Sequence, residues 1–533
     1  MSAAPWWKGA VVYHIYVRSF FDSDGDGHGD LKGVAAKLDY IESLGVDAIW
    51  LSPVHPSPNR DWGYDVSDFE GVHPDYGSMA DLEALTAAAH GRGIKVMLDE
   101  VLSHTSDEHA WFAASRDGGP DGPKASWYVW ADPADDGTAP NNWLSVFGGP
   151  AWAYQPARRQ HYHHKFLRQQ PKLNWRNPDA KEAAISVLDF WLAKGIDGFR
   201  LDVAGTFLHD DTLTDNPAVP AAQRTRHHWA HASEMQVHLN DSNLPENIPL
   251  LDEIRARVDR HGDRFVFGEF SEEEERCGAY CTPDDGLHSA YTFVLLHARK
   301  LNPQIFRDHF ETLARHPGHW PCISFCNHDI MRTATRFGGG EAVARLMLAL
   351  LLSLKGTTLL YQGEELGLPE AQSLTRTEIR DPVGDLYWPI SKGRDGSRTP
   401  MPWAPGDNLG FSRAKPWLPS APEHRDLTVA AQAADANSTL ALSKALIALR
   451  KGSAALTRGE IEMAPAEGPV LAFTRTLGDE QVLCLFNMGP EAAVFAQAGL
   501  TGEAVPLPGL IQAKVEDGKV ALAAHGVAFI RRP

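Results

Sequence analysis

Eight short apolar runs recur along this chain, and most are followed by a helical pattern. They are VVYHIYVRSF (11–20), AIWLSP (48–53), KVMLDEV (95–101), GFRLDVA (198–204), RFVFGEF (264–270), SAYTFVLL (289–296), PCISFCN (321–327) and TTLLYQGEE (357–365). Strands apolar along their whole length belong to a sheet covered on both faces, and the intervening helices supply the cover. The pattern predicts an α/β protein built on a (β/α)8 TIM barrel. His104, Asp202, Glu269 and Asp329 fall at the C-terminal ends of such runs, the catalytic face of that architecture.

The rest of the 533 residues is organised around this repeat. A helix is predicted over 31–44, stopping at Gly45, and Ser78-x-x-Asp81 marks a capping box for a helix ending near Gly91. Asn177-Pro178 reads as N-cap and first residue of another, ending at Gly195. Residues 105–174 are too long and too rich in aromatics, Gly and Pro for an ordinary loop, so they are expected to form an inserted subdomain after strand 3. The expected division is 1–104 barrel, 105–174 insertion, 175–451 barrel with long loops after strands 4 and 8, and 452–533 a C-terminal β-sandwich.

Composition narrows the partners. A net charge of −19 argues against nucleic acid and anionic membrane surfaces. The longest apolar stretch, 343–354, is short for a membrane span and is interrupted by Arg345. The first residues show no basic segment followed by an apolar one, so a cytoplasmic protein is expected. Five cysteines fit a reducing compartment. Cys277/Cys281 and Cys322/Cys326 have C-x3-C spacing, and His227 and His231 are four apart, but buried thiols and an ordinary helix face are the preferred readings over zinc.

DSDGDGHGD (22–30) resembles an EF-hand loop, with Asp22, Asp24, Asp26, Gly27 and Asp30 at positions 1, 3, 5, 6 and 9. Position 12 is Gly33, so the bidentate glutamate is missing, and the loop lies between a strand and a helix. It reads as a fixed cation staple. Arg200 and Asp202 are two apart, so strand alternation sends both into one cleft, and Glu269 and Asp329 end two other strands. Three converging carboxylates suit glycoside hydrolysis through an oxocarbenium-like state.

With these motifs assembled, the sequence resembles the α-amylase superfamily (glycoside hydrolase family 13), most of all its α-glucosidase and oligo-1,6-glucosidase branch. The resemblance covers nearly the whole chain, through WWKGAVVYHIYVRSFFDSDGDGHGDLKGV, GVDAIWLSP, GYDVSDF, LDEVLSHTSDEH, GFRLDVA, FGEF, FCNHD, YQGEELG and GRDGSRTPMPW. It implies Asp202 as nucleophile, Glu269 as general acid/base and Asp329 as the third carboxylate. It further implies a clamp of Asp65 and Arg398 on the far hydroxyls of a terminal glucose, His104 and His328 on ring hydroxyls, and Tyr64 stacked on the sugar. Phe147, Phe166 and Phe270 are wall candidates that core packing explains equally well. Asp22, Asp24, Asp26, His28 through its carbonyl, and Asp30 match the family's cation loop, implying structural Ca2+, with Mg2+ as the alternative. Arg200 is expected to keep Asp202 ionised while Glu269 starts protonated.

The implied activity is a retaining, exo-acting α-glucosidase on small oligosaccharides. Its rivals are a transferring or a trehalose- or sucrose-isomerising relative and, remotely, a non-catalytic transporter accessory subunit. Val203 after the nucleophile accompanies α-1,6 activity in the family, but Ala204-Gly205 departs from the usual pattern. Ser103 for the family's usual Asn, Lys172 for the acid of its QPDLN motif and Pro402 for the Gln of MQW are further departures, bearing on specificity.

Overall fold

The computed structural model describes residues 4–224, 231–271, 278–282, 285–316 and 318–532. Eight strands form one sheet: β1 (Val11–Ile15), β2 (Ala48–Leu51), β3 (Lys95–Glu100), β4 (Gly198–Leu201), β5 (Phe265–Phe270), β6 (Ser289–Thr292), β7 (Cys322–Ile323) and β8 (Thr357–Tyr361). The order is β7-β8-β1-β2-β3-β4-β5-β6, and every pairing is parallel. The seam between β6 and β7 is closed by a side chain: Ser289 Oγ donates to Trp320 O at 2.6 Å and lies 3.2 Å from Cys322 Sγ. The eight expected runs are the eight strands of the barrel.

Strand alternation sorts each run into two sets. Val12, Trp50, Met97, Phe265, Phe267 and Leu359 fill the barrel interior as one cluster. Val11, Tyr13, Ile49, Leu98, Phe199 and Val266 pack outward into the main core with the helices.

Some expected elements are shorter or broken. The 31–44 helix is two, Leu31–Ala36 and Leu38–Leu44, divided at Lys37 (φ −106°, ψ 9°). The first half is pressed against the preceding loop. A Cβ on Gly33 would lie 1.9 Å from Phe21 O, so only glycine permits this approach. The helix Met79–His90 carries the expected box, Ser78 accepting from Asp81 N and Asp81 from Ser78 N. Pro178–Ala193 is capped by Asn177. Strand β7 has only two residues, and just past it Ser324 Oγ donates to Cys326 O at 2.8 Å.

Within 105–174, Trp130–Ala131, Trp152–Gln155 and Gln160–His163 form a three-stranded antiparallel sheet. At the C-terminus, a five-stranded and a three-stranded antiparallel sheet enclose their own apolar cluster, including Leu483, Leu485, Phe495, Val520 and Ile530. Among the described residues no helix is long and apolar enough to cross a membrane. Cys322 and Cys326 are buried, while Cys277 and His227 lie outside the described residues. Among those described, the only side chains gathered as metal ligands are aspartates.

The N-terminal face of the barrel is tied by a buried arginine that has no carboxylate partner among the described residues. Arg450, on the helix Thr439–Lys451, donates to the carbonyls of Gly9 (3.1 Å), Leu352 (3.0 Å), Leu354 (3.0 Å) and Gly356 (2.5 Å). Replacing it by an apolar residue leaves these acceptors unmatched. Arg450→Leu is expected to lower unfolding stability by ~4 kcal/mol in urea titrations, with low-temperature turnover retained because the tie lies opposite the cleft.

Candidate active site

The inward-facing set of each strand ends in a polar residue, and these ends converge. Beyond Val12 comes His14, beyond Met97 comes Asp99, beyond Gly198 come Arg200 and Asp202, and beyond Phe267 comes Glu269. Asp99 is in register with Arg200, and Glu269 with Tyr291 of β6. Arg200 is fully buried, 5.5 Å from the Trp50 ring and 5.9 Å from that of Tyr64. Its Nη1 meets Asp99 Oδ1 at 2.7 Å and Asp202 Oδ1 at 2.6 Å, and its Nη2 meets Glu269 Oε2 at 2.6 Å. Tyr64 donates to Asp99 Oδ2 at 3.0 Å, and Tyr291 to Glu269 Oε1 at 2.8 Å.

One guanidinium thus faces three carboxyls. Burial pushes Asp202 well up; Arg200 opposes, and Glu269 and Asp99 add to the push. Burial likewise lifts Asp99 to about 6 against Arg200. Arg200 acts on Asp202 in the expected direction, favouring its charged form against burial. The arginine is shared among the three carboxyls. Directly after Asp202, Val203 sits at φ 39°, ψ 45°, a left-handed conformation costly for a β-branched residue, by ~1–3 kcal/mol. Its N–H points at Glu269 Oε2 across 3.3 Å.

A second cationic group stands across the cleft. Asp329 Oδ1 accepts from Arg398 Nη2 at 2.6 Å and Arg394 Nη1 at 3.2 Å. Arg394 Nη2 also bridges Asp61 and Asp381, each at 2.7 Å. Burial pushes Asp329 up, but the cationic surroundings overcome it and hold the carboxyl well below the ordinary range. His328 is itself driven down to about 3 by burial, so at neutral pH the two arginines are the cations that matter.

Between the groups lies a cavity of about 580 Å³. Tyr64, His104, Phe147, Phe166, Asp202, Glu269 and Asp329 line it, all seven expected there. Five other expected residues do not. Asp65 is fully buried, accepting from Ser57 Oγ (2.7 Å), Arg60 N (2.9 Å) and Asp61 N (3.0 Å), so it shapes its own loop. Arg398 is also fully buried behind Asp329, donating to His328 O at 2.7 Å. The expected Asp65–Arg398 clamp is thus not at the cavity. Asp61 and Arg394, four residues earlier in the same two motifs, line it and meet each other. Phe270 is a core residue, stacked on Tyr280 at 4.7 Å. Arg200 and His328 sit behind the lining; His328 is stacked on Tyr64 at 5.1 Å.

Asp61, Arg394, Asp99, Tyr291 and Gln170 were missed in the sequence. Gln170 lines the cavity and donates to Asp61 Oδ2 at 3.1 Å. The available signal was the repeat of Asp and Arg at i and i+4 in DWGYD and RDGSR; spacing does not say which member is turned inward. The run HYHHK (161–165), whose alternation reads as a strand of the insertion at the surface or cleft rim, is buried along its length. Lys165 lines the cavity and is bound to Asp241 at 2.6 Å, fastening the inserted sheet to the loop after β4.

The departures fall around this core. Ser103 Oγ lies 2.9 Å from His104 Nδ1, and His104 Nε2 lies 2.8 Å from Tyr64 O. Lys172 is buried and donates to Thr206 O and, at 3.2 Å, Phe207 O, just past the Asp202 turn. Pro402 lies outside the cavity lining, its carbonyl accepting from Val429 N at 2.9 Å.

In the 22–30 loop, carboxylate oxygens of Asp22, Asp24 and Asp30 lie within 4.8 Å of one another. Asp26 is outside that group, its carboxylate accepting from His28 N at 2.7 Å. The His28 ring turns away to Arg18 Nη1 at 2.6 Å. Three acidic oxygens so placed suit a hard divalent cation.

Comparison with known proteins agrees with this geometry. Residues 14–459 match the alpha amylase catalytic domain. A probable alpha-glucosidase of Rhizobium meliloti (strain 1021) is 44% identical over 539 residues, 99% of this chain and 97% of that protein. The crystal structure of the alpha-glucosyl transfer enzyme XgtA superposes with a TM-score of 0.96 at 44% identity, covering 100% of both chains. That of the trehalulose synthase MutB from Pseudomonas mesoacidophila MX-45 gives 0.88 at 31% identity, covering 99% and 100%.

Lys172 gives the site a measurable pH dependence. Burial pushes its ammonium down to about 7, with Lys165 adding and Asp241 opposing. Between about pH 7 and the ordinary lysine value near 10.4, the unfolded chain holds a proton that the fold releases. The residue thus costs stability below pH 7, and the cost fades as pH rises through that window. Thermal unfolding at pH 7 and pH 9 should show wild type gaining more stability with pH than Lys172→Met.

Proposed function

The chain belongs to the alpha-amylase family, and on that premise we propose that it is a retaining, exo-acting α-glucosidase releasing α-glucose from the non-reducing ends of short α-glucosides. The observation that carries this reading is the sharing of Arg200 by Asp202 and Glu269. Carboxyls held by two nitrogens of one guanidinium support the close spacing of about 5–5.5 Å used by retaining enzymes, not the wider one that leaves room for a water. Asp202 attacks the anomeric carbon while Glu269 gives its proton to the departing oxygen. Glu269 then takes a proton from water, which displaces Asp202 and restores the α configuration. Asp329, ionised between two arginines, offsets the positive charge of the sugar.

Substrate length is assigned to the Asp61–Arg394 bridge. It would accept the outermost hydroxyls of a terminal glucose, and an internal glucan unit could not reach it. The long loop after β4, fastened by Lys165–Asp241, roofs the other side. Among the described lining residues, both Lys165 and Arg394 are bound to carboxylates, which argues for neutral rather than phosphorylated substrates. A second reading, transfer of glucose to a sugar acceptor or isomerisation of a disaccharide, is favoured by the apolar walls Phe147, Phe166, Val219 and Ile330, which offer a water few partners. The resemblance to XgtA and MutB points the same way.

The two readings separate by products from maltose, isomaltose, sucrose, trehalose and soluble starch. We expect α-glucose, efficiency falling from disaccharides to starch, and Arg394→Met losing about 50–100-fold in kcat/KM on every disaccharide alike, the worth of one or two charged hydrogen bonds. Starch cleaved as well as maltose would overturn the exo reading; oligosaccharide or isomer products in excess of glucose would favour transfer.

Asp22, Asp24 and Asp30 are proposed to hold a structural Ca2+, or Mg2+, that takes no part in the chemistry. A cation bound only by the native fold stabilises it by mass action. Chelator should therefore lower the melting temperature while leaving low-temperature rate constants unchanged. An unchanged melting temperature with no metal on elemental analysis would remove the cation.

A further inference from the structure

The sequence showed β6 only as an ordinary apolar strand, yet its Tyr291 reaches the reacting carboxyl. Tyr291 is 3% exposed and paired in register with Glu269. Its hydroxyl donates to Glu269 Oε1 at 2.8 Å and accepts from Arg200 Nη2 at 3.2 Å. The other oxygen, Oε2, meets Arg200 Nη2 at 2.6 Å and Val203 N at 3.3 Å. Both oxygens of the glutamate are therefore fixed, by different donors. The ring is wedged between Phe267 (6.1 Å) and Phe293 (6.3 Å), contacts that phenylalanine would make as well. A buried hydroxyl gains nothing over hydrogen unless it is bonded, and these two bonds are what it has gained.

We propose that Tyr291 is a positioning residue for Glu269, holding Oε1 so that Oε2 is the atom that exchanges a proton with the sugar oxygen. This rests on the acid/base reading of Glu269. The phenol's bond strengthens as Glu269 gives up its proton and becomes charged, so it assists proton donation to the leaving oxygen. Burial pushes the phenol itself well above its ordinary range, so it stays a neutral donor throughout.

The role separates by leaving group. A sugar alcohol must be protonated to depart, whereas 2,4-dinitrophenolate need not be. Tyr291→Phe should lose about tenfold or more in kcat/KM on maltose and less than twofold on 2,4-dinitrophenyl α-glucoside. The ratio of two substrates on one preparation does not depend on how much of it is folded. A merely structural tyrosine would lower both alike. Equal losses, or no loss on either substrate, overturn the proposal. Glu269→Gln, measured beside it, tests the reading beneath: maltose turnover retained in that variant would remove Glu269 as the acid whatever Tyr291 does. A Glu269→Gln enzyme disabled on maltose but spared on the dinitrophenyl substrate, beside an unselective Tyr291→Phe, would overturn the tyrosine's role alone.

Discussion

One guanidinium holds this site together. Arg200 is buried without access to water, and such a cation is tolerated only where acceptors surround it, here carboxylates. The barrel supplies them from three neighbouring strands: Asp99 from β3, Asp202 from the end of β4 and Glu269 from β5. The adjacency of β3, β4 and β5 in the sheet is therefore a requirement of the chemistry as well as of the fold. Because the anchoring ladders are backbone hydrogen bonds in a close-packed interior, the carboxyls are pre-positioned; substrate does not have to gather them. The same arrangement explains why Val203 tolerates a left-handed backbone. Its strained turn is fixed on one side by Asp202 N bonding Glu100 O at 3.0 Å and on the other by the bond to Glu269.

The opposite wall is made differently. Asp61, Asp329 and Arg394 come from loops after β2, β7 and β8, with no ladder to hold them. Their rigidity is electrostatic. Arg394 is gripped by Asp381, which also accepts from Arg394 N at 2.6 Å and caps the helix Pro382–Tyr387. The strands thus carry the groups proposed for bond-breaking, and the loops carry those proposed for recognition. The division matches a fold that keeps its barrel while its loops vary.

That division also marks how far the sequence could be read. Short continuous apolar runs are a local signal, so all eight strands were legible, 289–296 the least marked of them, and an acid at the top of such a run inherits its direction from the pleat; Asp202 and Glu269 follow from this. Loops have no period. In DWGYD and RDGSR two candidates of the same type stand four residues apart, and only the tertiary fold decides that Asp61 and Arg394 face the cavity while Asp65 and Arg398 are buried behind it. The break at Lys37 was invisible for a related reason. The apolar stripe from Val34 to Leu44 is continuous, and the interruption accompanies Gly33 pressing on Phe21 O, a contact between segments. Tyr291 was hidden because a tyrosine in an apolar strand looks like core until its hydroxyl is seen to have a partner.

Lys172 shows where a family scaffold can change without losing its carboxyl set. At a position where the resembled motif carries an acid, this chain buries an ammonium and spends it on the carbonyls of Thr206 and Phe207. Those carbonyls close the short helix Ala204–Thr206 that leads out of the Asp202 turn, and Thr206 and Val203 both line the cavity. The lysine is carried by the segment leaving the inserted subdomain, two residues from Gln170, which bonds Asp61. A single segment therefore touches the turn beyond the proposed nucleophile and the loop that grips the proposed clamp. That segment is separate from the Arg200 cluster, whose three carboxyls are held by β3, β4 and β5, so a substitution such as Lys172 changes the surroundings of the cavity without touching the carboxyl set.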